Sequence, residues 1–287
     1  MKDKNRDSRS TVRRLSCLQT LVRRLRLRAG PSLLQSAVVF CGISMASGPV
    51  LSAGGNIDAE ADKVLKAMSA YLSGLQKLSV QADADIEVMM TDGQKLQLTS
   101  LVDVALERPG KLHVRRQGAY ADAQILISHG KITLHVTSHK AYAQLESAGS
   151  IDDALDTLGQ ETGLDAPASD LFRSDSYDKL TMELNSGVYL GTTFVNGEEC
   201  HYMAFRSDVA DSQIWVRKGE RPVPMKYVVT SKWTTGAPQY AVRFRNWDTA
   251  PTLAANRFEF MPSPTDRRLE TIPVNEVGEF SVEEAEQ

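Results

Sequence analysis

From Ser79 the chain alternates: Val80, Ala82, Ala84, Ile86, Val88 and Met90 share one parity, and Gln81, Asp83, Asp85 and Glu87 share the other. Successive side chains of a strand point to opposite faces, so the run reads as a long strand with one apolar and one hydrated face. Thr91-Asp92-Gly93-Gln94 supplies a turn, and Leu96, Leu98, Val102, Val104 and Leu106 return in phase. A sheet begun in this way has an apolar face that something must cover.

The rest of the chain divides between more strands and too few helices. Residues 58–75 predict an amphipathic helix, with Ala61, Val64, Leu65, Met68, Leu72 and Leu75 at three-and-four spacing. Arg108-Pro109-Gly110 ends the second strand, and short strands follow at 111–116, 123–128, 131–137 and 142–145. Ser150-Ile151-Asp152-Asp153 has the form of a capping box before Ala154, Leu155 and Leu158, and 167–173 reads as another short helix. Strands then resume at 188–195, 199–205, 213–218, 224–232, 239–247 and 257–261, with Asn196-Gly197 as a hairpin turn. The fold class is therefore mainly β (α+β): one curved antiparallel sheet with a few helices on its apolar face. A broad sheet covered by so little helix leaves a hydrophobic gap suited to an acyl chain.

A chain of 287 residues of this kind fits a single domain, expected over 54–265 and followed by an acidic tail at 266–287. Charge is unevenly placed: residues 1–53 hold ten Lys and Arg against Asp3 and Asp7, whereas the remainder carries a net charge of -11. Such a body repels nucleic acid and anionic surfaces, so no nucleic-acid partner is expected. The basic head followed by apolar Leu33 to Ala46 reads as a signal peptide, 1–53, cut near Ser52-Ala53-Gly54. Its n-region is long, and one explanation places the true start among Val22 to Leu27. The apolar run is too short to span a bilayer, so no transmembrane segment is expected after cleavage, and the location implied is the periplasm. Cys17 and Cys41 would leave with the signal, and the remaining Cys200 reads as a buried structural thiol. A monomer is expected.

Chemistry-bearing patterns are sparse. His135 and His139 on one strand would stand about 13 Å apart, beyond the reach of a shared ion, and no metal site is expected. Nucleophile elbows, metalloprotease helices and phosphate loops are missing, so neither a cofactor nor a catalytic residue is assigned. Asp152, Asp153 and Asp156 read as helix-start charges. Trp215, Trp233 and Trp247 read as packing residues on strands, with basic neighbours.

Several segments carry a resemblance. Arg108-Pro109-Gly110-Lys111-Leu112, Ile125-Leu126-Ile127-Ser128-His129-Gly130-Lys131 and Arg257-Phe258-Glu259-Phe260-Met261-Pro262 follow the motif order of the LolA-type lipoprotein carriers. Residues 57–265 resemble more specifically a family of predicted periplasmic proteins, domain of unknown function 2092. The segments that carry it include Tyr189-Leu190-Gly191-Thr192, Ile214 to Lys226, Pro238-Gln239-Tyr240 and Asn246-Trp247. The resemblance to the carriers implies an unclosed β barrel whose helices form a lid over a lipid-sheltering interior. His129 departs from the carriers' usual Asp, and 132–136 lacks their aromatic residues.

The expected function is non-enzymatic binding of a lipid, acyl chain or lipidated segment. Its expected wall is Ile86, Val88, Leu98, Val102, Val104, Leu112, Ile125, Ile127, Leu134 and Val136, with Leu171 and Phe172 as lid. The alternatives are an envelope module that binds a protein partner and, third, a hydrolase.

Overall fold

The computed structural model describes residues 56–119, 122–164 and 166–274. The expected signal peptide lies outside the described residues, as does the tail from 275 onward. The chain enters as β1 (Asn56–Ile57) and α1 (Ala59–Gly74). A meander follows: β2 (Lys77–Met89), β3 (Lys95–Glu107), β4 (Lys111–Gly118), β5 (Asp122–Ser128), β6 (Lys131–Val136) and β7 (Ala141–Glu146). Next come α2 (Ile151–Thr162), a 3-10 segment (Pro167–Phe172) and α3 (Ser176–Thr181). The second meander is β8 (Leu184–Val195), β9 (Glu198–Ser207), β10 (Ala210–Arg217), β11 (Pro224–Ser231) and β12 (Gln239–Asp248), and β13 (Arg267–Leu269) closes the series.

The thirteen strands of the described residues form one sheet, in the order β1-β8-β9-β10-β11-β12-β2-β3-β4-β5-β6-β7-β13. Pairing is antiparallel except at the two ends, where β1 lies parallel to β8 and β13 to β7. Among the described residues the end strands do not pair, so the barrel is open. The two meanders are joined by β12 and β2, with Val242 opposite Ala84 and Phe244 opposite Ala82. Between β2 and β3 the in-phase alternation becomes direct pairing: Val80 with Val104, Ala82 with Val102 and Ile86 with Leu98. One face of the sheet thereby collects the apolar side chains, and the helices lie on it.

The helices form where caps and stripes agree. Asp58 accepts the backbone N–H of Glu60 at 2.9 Å, and Glu60 and Asp62 complement the helix dipole in the first turn of α1. Its buried stripe is Ala61, Val64, Leu65, Met68 and Leu72, each larger member contributing about 1.5–3 kcal/mol as an upper estimate. Ser150 caps α2 by accepting from the N–H of Asp153 at 3.0 Å, and Ile151, Ala154 and Leu158 are buried. Among the described residues, no helix is long and apolar enough to cross a membrane.

Four details differ from the sequence expectation. Residues 257–261 are not a strand: Arg257 N–H donates to Ala254 and Glu259 N–H to Asn256, making a 3-10 turn at Ala255–Phe258. Phe260, two residues on, packs against the rings of His135 and Tyr142 instead of pairing in the sheet. Trp233 lies in the connection after β11, 74% exposed, with its indole N–H on the Asp208 carbonyl. A third helix, α3, follows the 3-10 segment. The ordered chain also continues past 265, because β13 joins β7 and Ile272 is fully buried.

Candidate functional site

The apolar face is mostly filled, but not everywhere. Between the middle of the sheet and α2 lies a cavity of about 140 Å³. Its floor comes from both meanders: Ala82, Val102, Val104, Leu112, Val114 and Ile125 from the first, and Tyr240, Val242 and Phe244 from β12. Its roof is Leu155, Leu158 and Gly159 of α2 with Leu164, Ala166, Ala168, Ser169 and Phe172 of the following segment. The small side chains explain the void. Ala82, Gly159, Ala166 and Ala168 present a methyl group or nothing where Leu or Phe would fill the space. A dry apolar cavity of this size holds a benzene-sized guest. The closed shape therefore admits a short run of methylenes, and a longer acyl chain requires the roof to lift.

The expected wall residues separate into three groups. Val102, Val104, Leu112, Ile125 and Phe172 line the cavity. Ile127, Leu134, Val136 and Leu171 are buried in the surrounding core. Ile86, Val88 and Leu98 lie half-buried farther along β2 and β3, on the same face but away from the cavity. The β12 contributors and the roof of α2 were not anticipated as site residues. Alternation of Tyr240, Val242 and Phe244 marked a strand face, but nothing local to 239–248 says that β2 is its neighbour.

Polar clasps hold the roof down. Arg108, at the end of β3, donates from Nη2 to the carbonyl of Phe172 at 2.8 Å. Arg173, with a side chain only 5% exposed, donates Nη1 and Nη2 to the two carboxylate oxygens of Asp156 at 3.0 and 3.3 Å, and Nε to Asp175 at 2.9 Å. Burial works against the Arg173 charge, and the two carboxylates more than offset it, so its pKa stands above the usual value. Asp152 accepts the Ser174 N–H at 3.0 Å, fixing the start of α2 to the chain after the 3-10 segment. Hence the acidic cluster at the α2 start serves the roof as well as the helix dipole.

Polar groups also enter the floor. Tyr240, paired with Ile86, puts its phenol on the apolar face, where burial pushes its pKa up to about 12. Arg116, opposite Val102 on the same face, donates Nε to Ser100 Oγ at 2.8 Å, and its charge acts on the Tyr240 phenol. Cys200 is buried and burial pushes its thiol up, which is unsuited to nucleophilic chemistry.

The opposite face carries a second, polar hollow of about 370 Å³ beneath the strap that includes Asn256 to Met261. Gln124 bridges His113 at 3.1 Å and His135 at 2.9 Å, and His135 stands 3.5 Å from Asp266. Among the described residues, no group of three or more His, Cys, Asp or Glu could hold a metal ion.

Known proteins of similar shape share little sequence. An uncharacterised conserved protein from Thermus thermophilus is 10% identical, with 73% of this chain and 99% of that one covered and a TM-score of 0.44. The Mycobacterium tuberculosis lipoprotein LppX is 13% identical, covering 68% and 98%, with a TM-score of 0.41. A LolA superfamily protein from Nitrosomonas europaea is 10% identical, covering 70% and 97%, with a TM-score of 0.35. No curated protein is similar in sequence. The family described as "Predicted periplasmic protein (DUF2092)" matches residues 61–272. Since that match runs from α1 to the buried Ile272, the chain belongs to this family of predicted periplasmic proteins.

Proposed function

We propose that the protein is a non-enzymatic periplasmic binding protein that takes a lipid, acyl chain or lipidated segment under its helical roof. The observation that carries this reading is the apolar cavity, floored by both meanders and covered by α2 and the 3-10 segment. Val102, Val104, Leu112, Ile125 and Phe172 would touch the first part of a guest. With the roof raised, the half-buried Ile86, Val88 and Leu98 would extend the wall, while Ile127, Leu134, Val136 and Leu171 back it. The family description supports the periplasm as the compartment, and the expected signal peptide agrees with it.

The test is to express the full-length gene in a Gram-negative host, recover the protein from the periplasmic fraction and analyse its chloroform extract by mass spectrometry. Stoichiometric acyl lipid is expected. A lipid-free protein that also fails to take up an apolar fluorophore would remove the carrier reading.

One observation favours a protein partner as the second reading. Strand β8 carries no charge along Leu184–Val195, and beyond Gly187 it has no second neighbour among the described residues. Val188, Leu190 and Phe194 are exposed there at 42%, 50% and 71%. An uncharged open edge is suited to an added strand from a partner. Pull-down of an envelope protein with no lipid in the extract would select this reading.

A further inference from the structure

The cavity wall is hydrocarbon except at two side chains. Tyr240 in the floor and Ser169 in the roof each bring a hydroxyl to it, and neither side chain has a hydrogen-bond partner among the described residues. Some hydroxyls near the helices are used, since Thr162 Oγ1 donates to the Leu158 carbonyl at 2.7 Å and Tyr177 is bonded to Asp62, whereas those of Ser69 and Ser176 have no partner among the described residues. A half-buried phenol in a wall that is otherwise almost all hydrocarbon calls for an acceptor, because a hydroxyl held in apolar surroundings without one costs free energy that Phe would avoid. The contrast with Phe172 and Phe244 in the same wall makes Tyr240 the outlier.

Its neighbours give the cavity a polar end. Tyr240 is opposite Ile86 on β2, one step along the strand face from Ala84, whose carbonyl receives Ser100 Oγ. Arg116 donates to that same Ser100 Oγ and acts electrostatically on the phenol. Away from this corner the lining is Leu112, Val104, Leu158 and Phe244. A guest matched to such a wall is apolar for most of its length and carries an oxygen acceptor at one end.

We infer that the cavity selects acyl compounds by their carbonyl oxygen, which accepts a hydrogen bond from the Tyr240 hydroxyl while the chain runs toward Leu112 and Leu158. The inference rests on the carrier reading and names its ligand class. A phenol that stays protonated far above neutral pH is a donor to either a carboxylate or an ester, so both sources share the chemistry.

The test uses the full-length chain and three probes: toluene, octanoate and methyl octanoate, followed by NMR titration in wild type and Tyr240→Phe. Toluene reports the cavity alone and should bind both proteins equally. In Tyr240→Phe, octanoate or methyl octanoate should weaken by about five- to tenfold, the worth of one hydrogen bond. The one that binds wild type identifies a free acid or an ester as the source. In a variant-free reading, the infrared carbonyl stretch of bound methyl octanoate should lie below its frequency in hydrocarbon solvent. Equal affinities in both proteins, with an unshifted carbonyl stretch, would overturn the carbonyl inference and leave the carrier reading intact. Failure of all three probes to bind wild type would instead overturn the carrier reading.

Discussion

Filling the cavity should stabilise the protein while closing it to guests. Ala82 is 1% exposed and lies in the cavity floor, opposite Val102 on one side and Phe244 on the other. Ala82→Leu adds three carbons into open space of about 140 Å³. At about 0.8 kcal/mol per buried methylene the gain is about 2.4 kcal/mol, less about 0.5–1 kcal/mol for the leucine rotamers. The net expectation is about 1.5–2 kcal/mol, which for a domain of this size raises Tm by about 3–8 °C. Ala143 offers the matching control. It is fully buried on β7 opposite Leu134 and does not line the cavity, so Ala143→Leu should overpack and cost about 1–3 kcal/mol. Urea unfolding of both variants gives the signs, and uptake of an apolar fluorophore gives the functional consequence. If Ala82→Leu destabilises as Ala143→Leu does and still takes up the fluorophore, the space is not a guest site.

Three further outcomes test the roof and the outer face. Arg108→Gln removes a charged donor from the Phe172 carbonyl; it should cost about 1.5–3 kcal/mol in urea unfolding and speed fluorophore uptake, and unchanged values for both would show that this contact holds nothing. Arg173→Met keeps the buried stem and deletes the bonds to Asp156 and Asp175; because both carboxylates are substantially exposed, a loss of about 1–2 kcal/mol is expected, and a variant as stable as wild type would remove the clasp from the account. Burial, with Arg257 nearby, holds the His113 imidazole below its usual 6.5, so the unfolded chain binds the proton first. The associated stability is complete above about pH 6.5 and lost as pH falls below it, and His113→Gln should flatten the stability slope below about pH 6.5. An unaltered slope would mean that His113 does not contribute to acid sensitivity.

How much the sequence disclosed depended on the distance between partners. The β2–β3 hairpin was legible because its alternation and turn are contiguous, and its register placed Val102 and Val104 on the cavity side. The α1 stripe and the Ser150 cap were legible for the same local reason. Tyr240, Val242 and Phe244 were not legible as site residues, because their neighbours on β2 lie more than 150 residues earlier in the chain. The 3-10 turn at 255–258 was misread as a strand, since Phe258 and Phe260 mimic alternation while packing singly. The cavity's position follows from the absence of bulk at Ala82, Gly159 and Ala168, and small residues announce a void only once their opposite numbers are known.

The seam between β12 and β2 has a consequence for biosynthesis. The first long strand to be synthesised finishes in the middle of the sheet, with one flank waiting for the last long strand, Gln239–Asp248. Until the ribosome has passed Asp248, a nascent chain therefore keeps the Ala82–Ala84 margin open, without Tyr240, Val242 and Phe244 beside it. Such late closure makes truncation anywhere before β12 far more damaging than the length removed would suggest.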